Sequence, residues 1–288
     1  VEVLKRLLVI FAVSAMLFGQ LANAQAIWRS AKTIKKGSVI AFGEWYLSDL
    51  TKSYDWANEE WKDFPDGKTK TVWGLETMVG YGISDRWEAM IHVPVAFKSY
   101  EFNDDEKSSS GIGDIFFKTR YAVMPFNKVS KQALTLHGAL RLGTGDEEAE
   151  MALGDGTTDF AFGGIFTKVL SPKFVGHAKL NYWMNGKMEN DFNVGNELKL
   201  VGALGYKLTP KVMPRAVFIY YSMGQRENAD GDAIDNSEKS RVNLVLDAVI
   251  RPKAGLTVRP RVLIPLGGEG AENVSFKPII DLWYVFNI

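Results

Sequence analysis

The sequence has no cysteine, no net charge and few histidines. The missing cysteines exclude a disulfide framework and thiolate metal ligands. The 34 basic and 34 acidic side chains balance, and because phosphate binding requires a basic excess, this balance argues against a nucleic-acid partner. Beyond residue 24, no apolar run reaches the roughly 20 residues that a membrane-spanning helix requires.

His92, His137 and His177 are the only histidines. None lies in a zinc-ligand spacing or in the His–Ser context that a lipid-hydrolysing barrel would need. Phosphate loops and nucleophile elbows are also missing from the sequence. We therefore predict no catalytic residue, no metal site and no cofactor, and a protein that is not an enzyme.

Residues 1–24 have the pattern of a secretory signal peptide. Lys5 and Arg6 precede a short apolar run, and Ala22, Asn23 and Ala24 form a small-residue cleavage site. Residues 25–37 are then a basic periplasmic segment, which either dangles outside the fold or enters the lumen as a plug. Residues 38–288 form the remaining domain.

This domain alternates apolar and polar residues at a period of two, which is typical of β-strands. Short turns and long loops alternate between the strands, as in outer-membrane β-barrels with short periplasmic turns. We therefore predict an all-β, transmembrane, antiparallel up-and-down barrel of about 12 strands, with both termini in the periplasm. The predicted strands are 38–48, 70–83, 86–98, 113–124, 132–143, 157–169, 173–186, 194–208, 211–223, 239–251, 255–266 and 274–287.

The two faces of each predicted strand differ in chemistry. In the tenth strand Val242, Leu244 and Leu246 share one face, whereas Arg241 and Asp247 share the other. A soluble β-sandwich would also alternate, but export, strand length and aromatic placement favour a lipid-facing apolar surface. The aromatic residues expected at the two ends of that surface are Tyr81, Trp87, Tyr121, Tyr206 and Tyr284, and Trp45, Phe97, Phe160 and Tyr182.

The predicted location is the bacterial outer membrane, after export through the inner membrane. Lipid and lipopolysaccharide are the expected surroundings, and the acidic loops are interpreted as solvated segments or as sites for cations that bridge lipopolysaccharide. The last strand ends in alternating Tyr284, Phe286 and Ile288. This ending is similar to the C-terminal signal for the barrel assembly machinery, with Ile288 in place of the usual Phe.

Two glycine-aspartate segments carry a family resemblance. Residues 111–120 contain Gly111, Gly113 and Asp114, and residues 143–159 contain repeated glycines and end at Asp159. These segments resemble the outer-membrane protein family of the meta pathway of phenol degradation. The resemblance implies a transporter-type barrel that passes small, often aromatic or hydrophobic compounds.

Side chains alternate between the inward and outward faces along each predicted strand, and this alternation predicts two clusters of charged residues in the lumen. We expect Arg141 to bridge Asp114 and Asp159 on neighbouring strands, either as a solute site or as a structural clasp. The second cluster lies on the last three strands, and it is interpreted as a constriction or as a ladder of salt bridges. The residues predicted to line the pore or bind solute are Asp114, Lys118, Arg120, His137, Arg141, Asp159, Asp247, Arg259, Arg261, Lys277, Asp281 and Trp283.

The predicted function is an outer-membrane channel or transporter for small solutes, aromatic and hydrophobic ones included. The lumen is expected to be modestly positive and to favour anions. Two alternatives stay open: a plugged structural barrel without transport, and a lipid-modifying barrel enzyme.

Overall fold

The structure is a computed structural model, and it describes residues 30–188, 191–270 and 272–287. The predicted signal peptide, residues 25–29 and Ile288 lie outside the described residues. In the described part of the chain, no helix is long and apolar enough to cross a membrane.

Twelve long antiparallel strands form a closed barrel. They are β1 (Ser38–Tyr46), β2 (Thr69–Gly82), β3 (Trp87–Phe102), β4 (Ile115–Met124), β5 (Gln132–Leu142), β6 (Asp159–Val169), β7 (Phe174–Met184), β8 (Glu197–Tyr206), β9 (Val212–Met223), β10 (Lys239–Ile250), β11 (Leu256–Glu269) and β12 (Lys277–Asn287). Each strand pairs with its neighbour in sequence, and β1 closes the barrel by pairing with β12, from Ser38 opposite Asn287 to Tyr46 opposite Ile279. The predicted fold class and strand count are confirmed.

The two ends of the barrel differ in their connections. Residues 83–86, 125–131, 170–173, 207–211 and 251–255 make the short connections, all at one end, which we call the turn end. The longer connections lie at the other end, the loop end. All backbone donors and acceptors of a closed barrel are paired between strands, so such a barrel can cross a membrane without exposing polar backbone to lipid.

Several strands extend beyond their predicted limits at the loop end. Strand β1 continues into Ser48–Asp55, which pairs with Glu60–Asp63, and β3 pairs with Asp105–Ile112 in a tall hairpin. The sequence predicted loops over much of both hairpins. Their residues are mostly polar on both faces, so the apolar alternation that marks a lipid-facing strand is missing there.

The outer face of the barrel is apolar. Tyr81, Trp87, Tyr121 and Tyr284, near the turn end, are 38–50% exposed. Phe160 and Phe162 are exposed near the loop end. This surface has the aromatic and aliphatic composition that a lipid-facing barrel wall requires.

The buried side chains of the barrel lie inside it. They include both charges and apolar groups, for example Glu44 and Arg259, which are fully buried, and the aliphatic cluster of Val201, Val217 and Val245. The lumen is therefore partly filled by side chains.

Candidate functional site in the barrel lumen

A belt of paired charges crosses the inside of strands β9 to β12 and β1. Arg215 lies directly opposite Asp247 in the β9–β10 register, and its guanidinium donates two hydrogen bonds to that carboxylate, at 2.7 and 2.6 Å. This bidentate geometry is the strongest form of an arginine–carboxylate pair. Both residues are buried.

The belt continues at the predicted second cluster. Arg259 and Arg261 both bind the Asp281 carboxylate, and Arg261 also contacts Glu44 at 2.5 Å. All four side chains are 0% exposed. Asp247 is paired with Arg215, so it is a neighbour of this group and not the partner of its arginines. Both arginines form ion pairs, although the buried Nε and Nη1 atoms of Arg261 have no hydrogen-bond partner among the described residues. The ion pairs support the interpretation of this cluster as a ladder of salt bridges.

Two aromatic side chains carry cations beside the belt. The Arg259 guanidinium lies 4.8 Å from the centroid of the Trp283 ring, and the Lys277 ammonium lies 3.3 Å from the centroid of the Tyr46 ring. Such contacts hold a charge over an apolar face. These two contacts place a cation and an aromatic ring side by side on the inner wall.

A second polar chain runs across β2, β3 and β4. Glu76 pairs with Nε2 of the buried His92, and the Lys118 ammonium donates to Nδ1 of the same ring at 2.9 Å. Phe116 stacks on His92 with ring centroids 4.9 Å apart, and Lys118 lies 4.6 Å from the centre of the Phe116 ring. Lys118 thus has one partner for its three N–H groups in this chain of contacts.

The opposite wall, on β5 to β8, has a different character. His137 Nε2 lies 2.6 Å from the Asn181 Oδ1 atom and reaches it across β6 at Gly163. A Cβ atom at Gly163 would lie 2.1 Å from the Leu180 carbonyl oxygen and 2.7 Å from the His137 ring. Glycine at this position therefore lets the histidine and asparagine meet.

Lys179 on β7 and Lys199 on β8 are half-buried and point into the lumen beside this pair. Within the described ranges, neither lysine has a hydrogen bond or a salt bridge. Most other inward charges in the described part of the chain are paired, and these two ammonium groups are among the few that are not.

Arg141 is the centre of a cluster at the loop end. It binds Asp159 as predicted, but its second carboxylate partner is Asp155, at 2.6 Å. Asp114 instead accepts hydrogen bonds from the backbone N–H groups of Gly145 and Asp155, at 3.0 and 3.3 Å. The expected Asp114–Arg141 bridge is therefore wrong. The loop places the Asp155 carboxylate against Arg141, and it places the backbone N–H groups of Gly145 and Asp155 against Asp114.

This loop, residues 143–158, folds onto the inner side of the tall hairpin. Met151 N donates to Ser109 Oγ at 2.8 Å, and the Lys98 ammonium donates to the Ala152 carbonyl. A Cβ atom at Gly154 would lie 2.3 Å from the Asp114 carboxylate. The two glycine-aspartate segments thus meet in one contact, where close backbone approach excludes larger residues.

Apolar side chains also reach the lumen. Val201, Ala203, Val217, Ile219 and Val245 form one buried cluster, against which Leu263 packs. Nearer the loop end, Phe116 and Trp183 meet edge to face at 5.8 Å. A lumen with apolar patches between charges can hold solutes that are not fully hydrophilic.

The N-terminal segment crosses the turn end of the lumen. Residues 30–37, which we call the strap, begin near β4 to β6 and join β1 on the far side of the barrel. The Arg120 guanidinium donates to the Ser30 carbonyl at 2.6 Å, and the Ile34 N–H donates to the Glu88 carboxylate. Arg120 and Glu88 also bind each other at 2.8 Å.

Ala31 is held by two more hydrogen bonds. Its N–H donates to Thr167 Oγ1 at 2.9 Å, and its carbonyl accepts from Thr135 Oγ1 at 2.5 Å. Ala31 is fully buried, and it packs against Ala133 and Ile165. Of the two placements considered for this segment, residues 30–37 thus lie inside the barrel mouth.

Most predicted site residues fall into these few groups. Arg120 binds the strap, and His137 lies beside Asn181. Lys118 belongs to the chain of contacts around His92. Sequence reasoning left several participants out of the site, namely Glu44, Arg215, Lys179, Asn181, Lys199 and Asp155. Parity alone could identify the charged residues on strands, but no signal in the sequence shows that a loop aspartate replaces Asp114.

The chain matches the model of a family described as "Putative MetA-pathway of phenol degradation" over residues 69–251. A crystal structure of an outer-membrane channel from Pseudomonas putida F1 superposes with a TM-score of 0.74 at 14% identity, covering 91% of this chain and 100% of that one. The β-domain of the Bordetella autotransporter BrkA gives a TM-score of 0.53 at 14% identity, covering 86% of this chain and 100% of that one. No curated protein matches the chain.

Proposed function

Since the chain belongs to this phenol-degradation family, we propose that it is an outer-membrane channel for small solutes that are partly apolar, aromatic compounds included. The observation that carries the proposal is the mixed lining of a closed barrel. Aliphatic and aromatic side chains such as Val217 and Trp183 face inward among charges. A pore for strongly hydrated ions alone has no need of such apolar surface.

We place the turn end and the strap on the periplasmic side, because outer-membrane barrels keep their short connections there. The loop end, with its tall hairpins, then faces the outside and the lipopolysaccharide. In this orientation Tyr284 and Phe286 lie in the last strand near the periplasm, where the assembly machinery would engage them. Ile288, the third residue expected in that signal, lies outside the described residues.

The plugged-barrel alternative has one specific observation in its favour. The strap is hydrogen-bonded across the turn end, and the Arg259–Asp281 region fills part of the middle of the lumen. A channel with this architecture requires a remaining path along the β5 to β8 wall, where the lysines are only half-buried.

The enzyme alternative has less support. Each histidine contacts a lumen residue: His92 contacts Glu76, His137 contacts Asn181, and His177 Nδ1 lies 2.9 Å from Thr167 Oγ1. The Thr167 hydroxyl accepts the hydrogen bond of the strap, so it is occupied in this arrangement. In the part of the chain that the structure describes, no group of three His, Asp or Glu side chains is arranged to hold a metal ion.

The test is transport by the purified barrel. In planar bilayers we expect discrete conductance steps, and in liposomes we expect faster entry of benzyl alcohol and benzoate than of glucose. Absence of both conductance and solute entry, in protein with the heat-modifiable gel mobility of a folded barrel, would contradict the channel proposal and favour the plugged barrel. Equal entry of all three solutes would contradict the preference for partly apolar ones.

A further inference from the structure

The inward charges are not distributed evenly around the barrel. On β9 to β12 and β1, arginines and carboxylates neutralise one another in direct contacts such as Arg215–Asp247 and Arg261–Glu44. At the turn end Arg120 binds Glu88, and at the loop end Arg141 binds Asp159. The β7–β8 wall has two inward lysines, Lys179 and Lys199, and one inward carboxylate, Glu197, so it keeps one excess positive charge.

Lys179 and Lys199 lie close together on that wall. The β7–β8 register sets Lys179 opposite Val201 and Lys199 opposite Asn181. The two lysines are therefore diagonal neighbours on the same inward face, with backbone positions about 7–8 Å apart. Lys118 and Arg120 also lie near enough to interact electrostatically with Lys179, so several cations share one region of the lumen.

Such a group of like charges is costly in a protein interior unless an anion joins it. No carboxylate in the described part of the chain forms a salt bridge with Lys179 or Lys199. Both side chains are only half-buried, so each keeps part of its surface accessible to solvent. An ammonium group offers three N–H donors, and these two lysines have all of theirs available.

Asn181 adds a neutral donor at the same place. Its Oδ1 atom is taken by His137 at 2.6 Å, which fixes the orientation of the amide. The amide nitrogen of Asn181 has no hydrogen-bond partner among the residues described. Its two N–H groups are then available for an oxygen of the solute.

Apolar side chains border the cations on both sides. The Phe116–Trp183 pair lies toward the loop end. Val201 and Ile219 of the aliphatic cluster lie level with Lys179 and on the turn-end side of Lys199. A bare inorganic anion gains nothing from these surfaces, whereas an aromatic or aliphatic body buries apolar area against them.

We propose that Lys118, Lys179 and Lys199, with Asn181, form a binding site in the lumen for small organic monocarboxylates with an apolar body. The carboxylate is held by the ammonium groups and the amide, and the body lies against the apolar side chains above or below. This inference rests on the proposed channel function and names its solute class.

The experiment compares the K179Q/K199Q variant with wild type in planar bilayers and liposomes. The matched control is K128Q/K253Q, which removes two exposed lysines from the turns. In K179Q/K199Q we expect a KCl-gradient reversal potential shifted toward cation preference. We also expect benzoate to reduce the chloride current only at concentrations at least about tenfold higher, the loss of one hydrogen bond to a charged group. K128Q/K253Q is expected to behave as wild type in both measurements, and K179R/K199R is expected to restore benzoate binding in part.

Each other outcome contradicts the inference. An unchanged reversal potential and unchanged benzoate response in a conducting K179Q/K199Q channel would show that these lysines do not bind the solute. Acetate acting as strongly as benzoate on wild type would show that the apolar surfaces play no part in recognition. If wild type itself neither conducts nor admits solute, the channel function fails, which is a different result from a conducting channel that ignores benzoate.

Discussion

The docking of the strap can be weakened without changing the shape of the lumen. Thr135 and Thr167 are 0% and 2% exposed, and their hydroxyls bind the carbonyl and the N–H of Ala31 at 2.5 and 2.9 Å. Valine has nearly the same shape as threonine but cannot form these bonds. In T135V/T167V, both backbone groups of Ala31 would be left buried and unpaired whenever the strap is docked.

The expected cost follows from the two lost partners. A buried donor or acceptor without a partner costs about 1–3 kcal/mol, so the two together cost about 2–6 kcal/mol. Because about 1.4 kcal/mol corresponds to a factor of ten, the ratio of undocked to docked strap should rise about 30-fold to about 20,000-fold.

Thiol labelling measures this ratio directly. The chain contains no cysteine, so A31C provides a single reporter in the strap. We expect a membrane-impermeant thiol reagent to modify A31C at least about 30-fold faster in the T135V/T167V background, when modification is limited by undocking. Single-channel conductance should rise or become noisier in the same variant, since the strap leaves the turn end.

The control is T77V, which removes a hydroxyl that donates to the Val93 carbonyl at 2.7 Å, away from the strap. T77V should leave both labelling and conductance unchanged. If T135V/T167V labels at the wild-type rate although it is folded, the strap is not held by these bonds, and the reasoning fails.

Two further substitutions test the packing and the charge belt. G163A is expected to impair barrel folding because its Cβ would lie 2.1 Å from the Leu180 carbonyl oxygen, whereas G202A, with nothing within 4 Å of its Cβ, should be tolerated. Heat-modifiable gel mobility measures the folded fraction of each variant. Equal folded fractions for the two variants would contradict the close approach at Gly163. D247A leaves Arg215 buried without its partner, so we expect a loss of about 3–5 kcal/mol in the free energy of unfolding by urea. D63A breaks only an exposed pair and should cost at most about 1 kcal/mol, and similar midpoints for the two variants would contradict the ranking.

Much of the barrel can be predicted from the sequence because lipid imposes a simple rule on each strand. Outward residues must be apolar, so parity identifies the inward face, and Arg241 and Asp247 on β10 lie on that face as predicted. The rule does not apply to strand segments that extend beyond the lipid. The polar hairpins at the loop end are strands that a lipid-based pattern cannot detect.

The site was less predictable for a related reason. Parity shows which charges face the lumen, but pairing depends on reach and on competitors from distant segments. Asp155 takes the place expected for Asp114 because the loop folds inward, and Arg261 reaches Glu44 across the β12–β1 seam. The strap could not be placed at all, since its bonds to Thr135 and Thr167 join residues that are more than 100 positions apart.

The strap also has a mechanical consequence. In a ring of twelve strands, β1 and β6 stand almost opposite each other, and the strap joins the start of β1 to Thr167 on β6. It therefore acts as a chord across the ring and resists flattening of the barrel under the lateral pressure of the membrane. Spin labels on the outer faces of β1 and β6 should show a narrower spread of distances in wild type than in T135V/T167V, because the chord fixes the diameter that it spans.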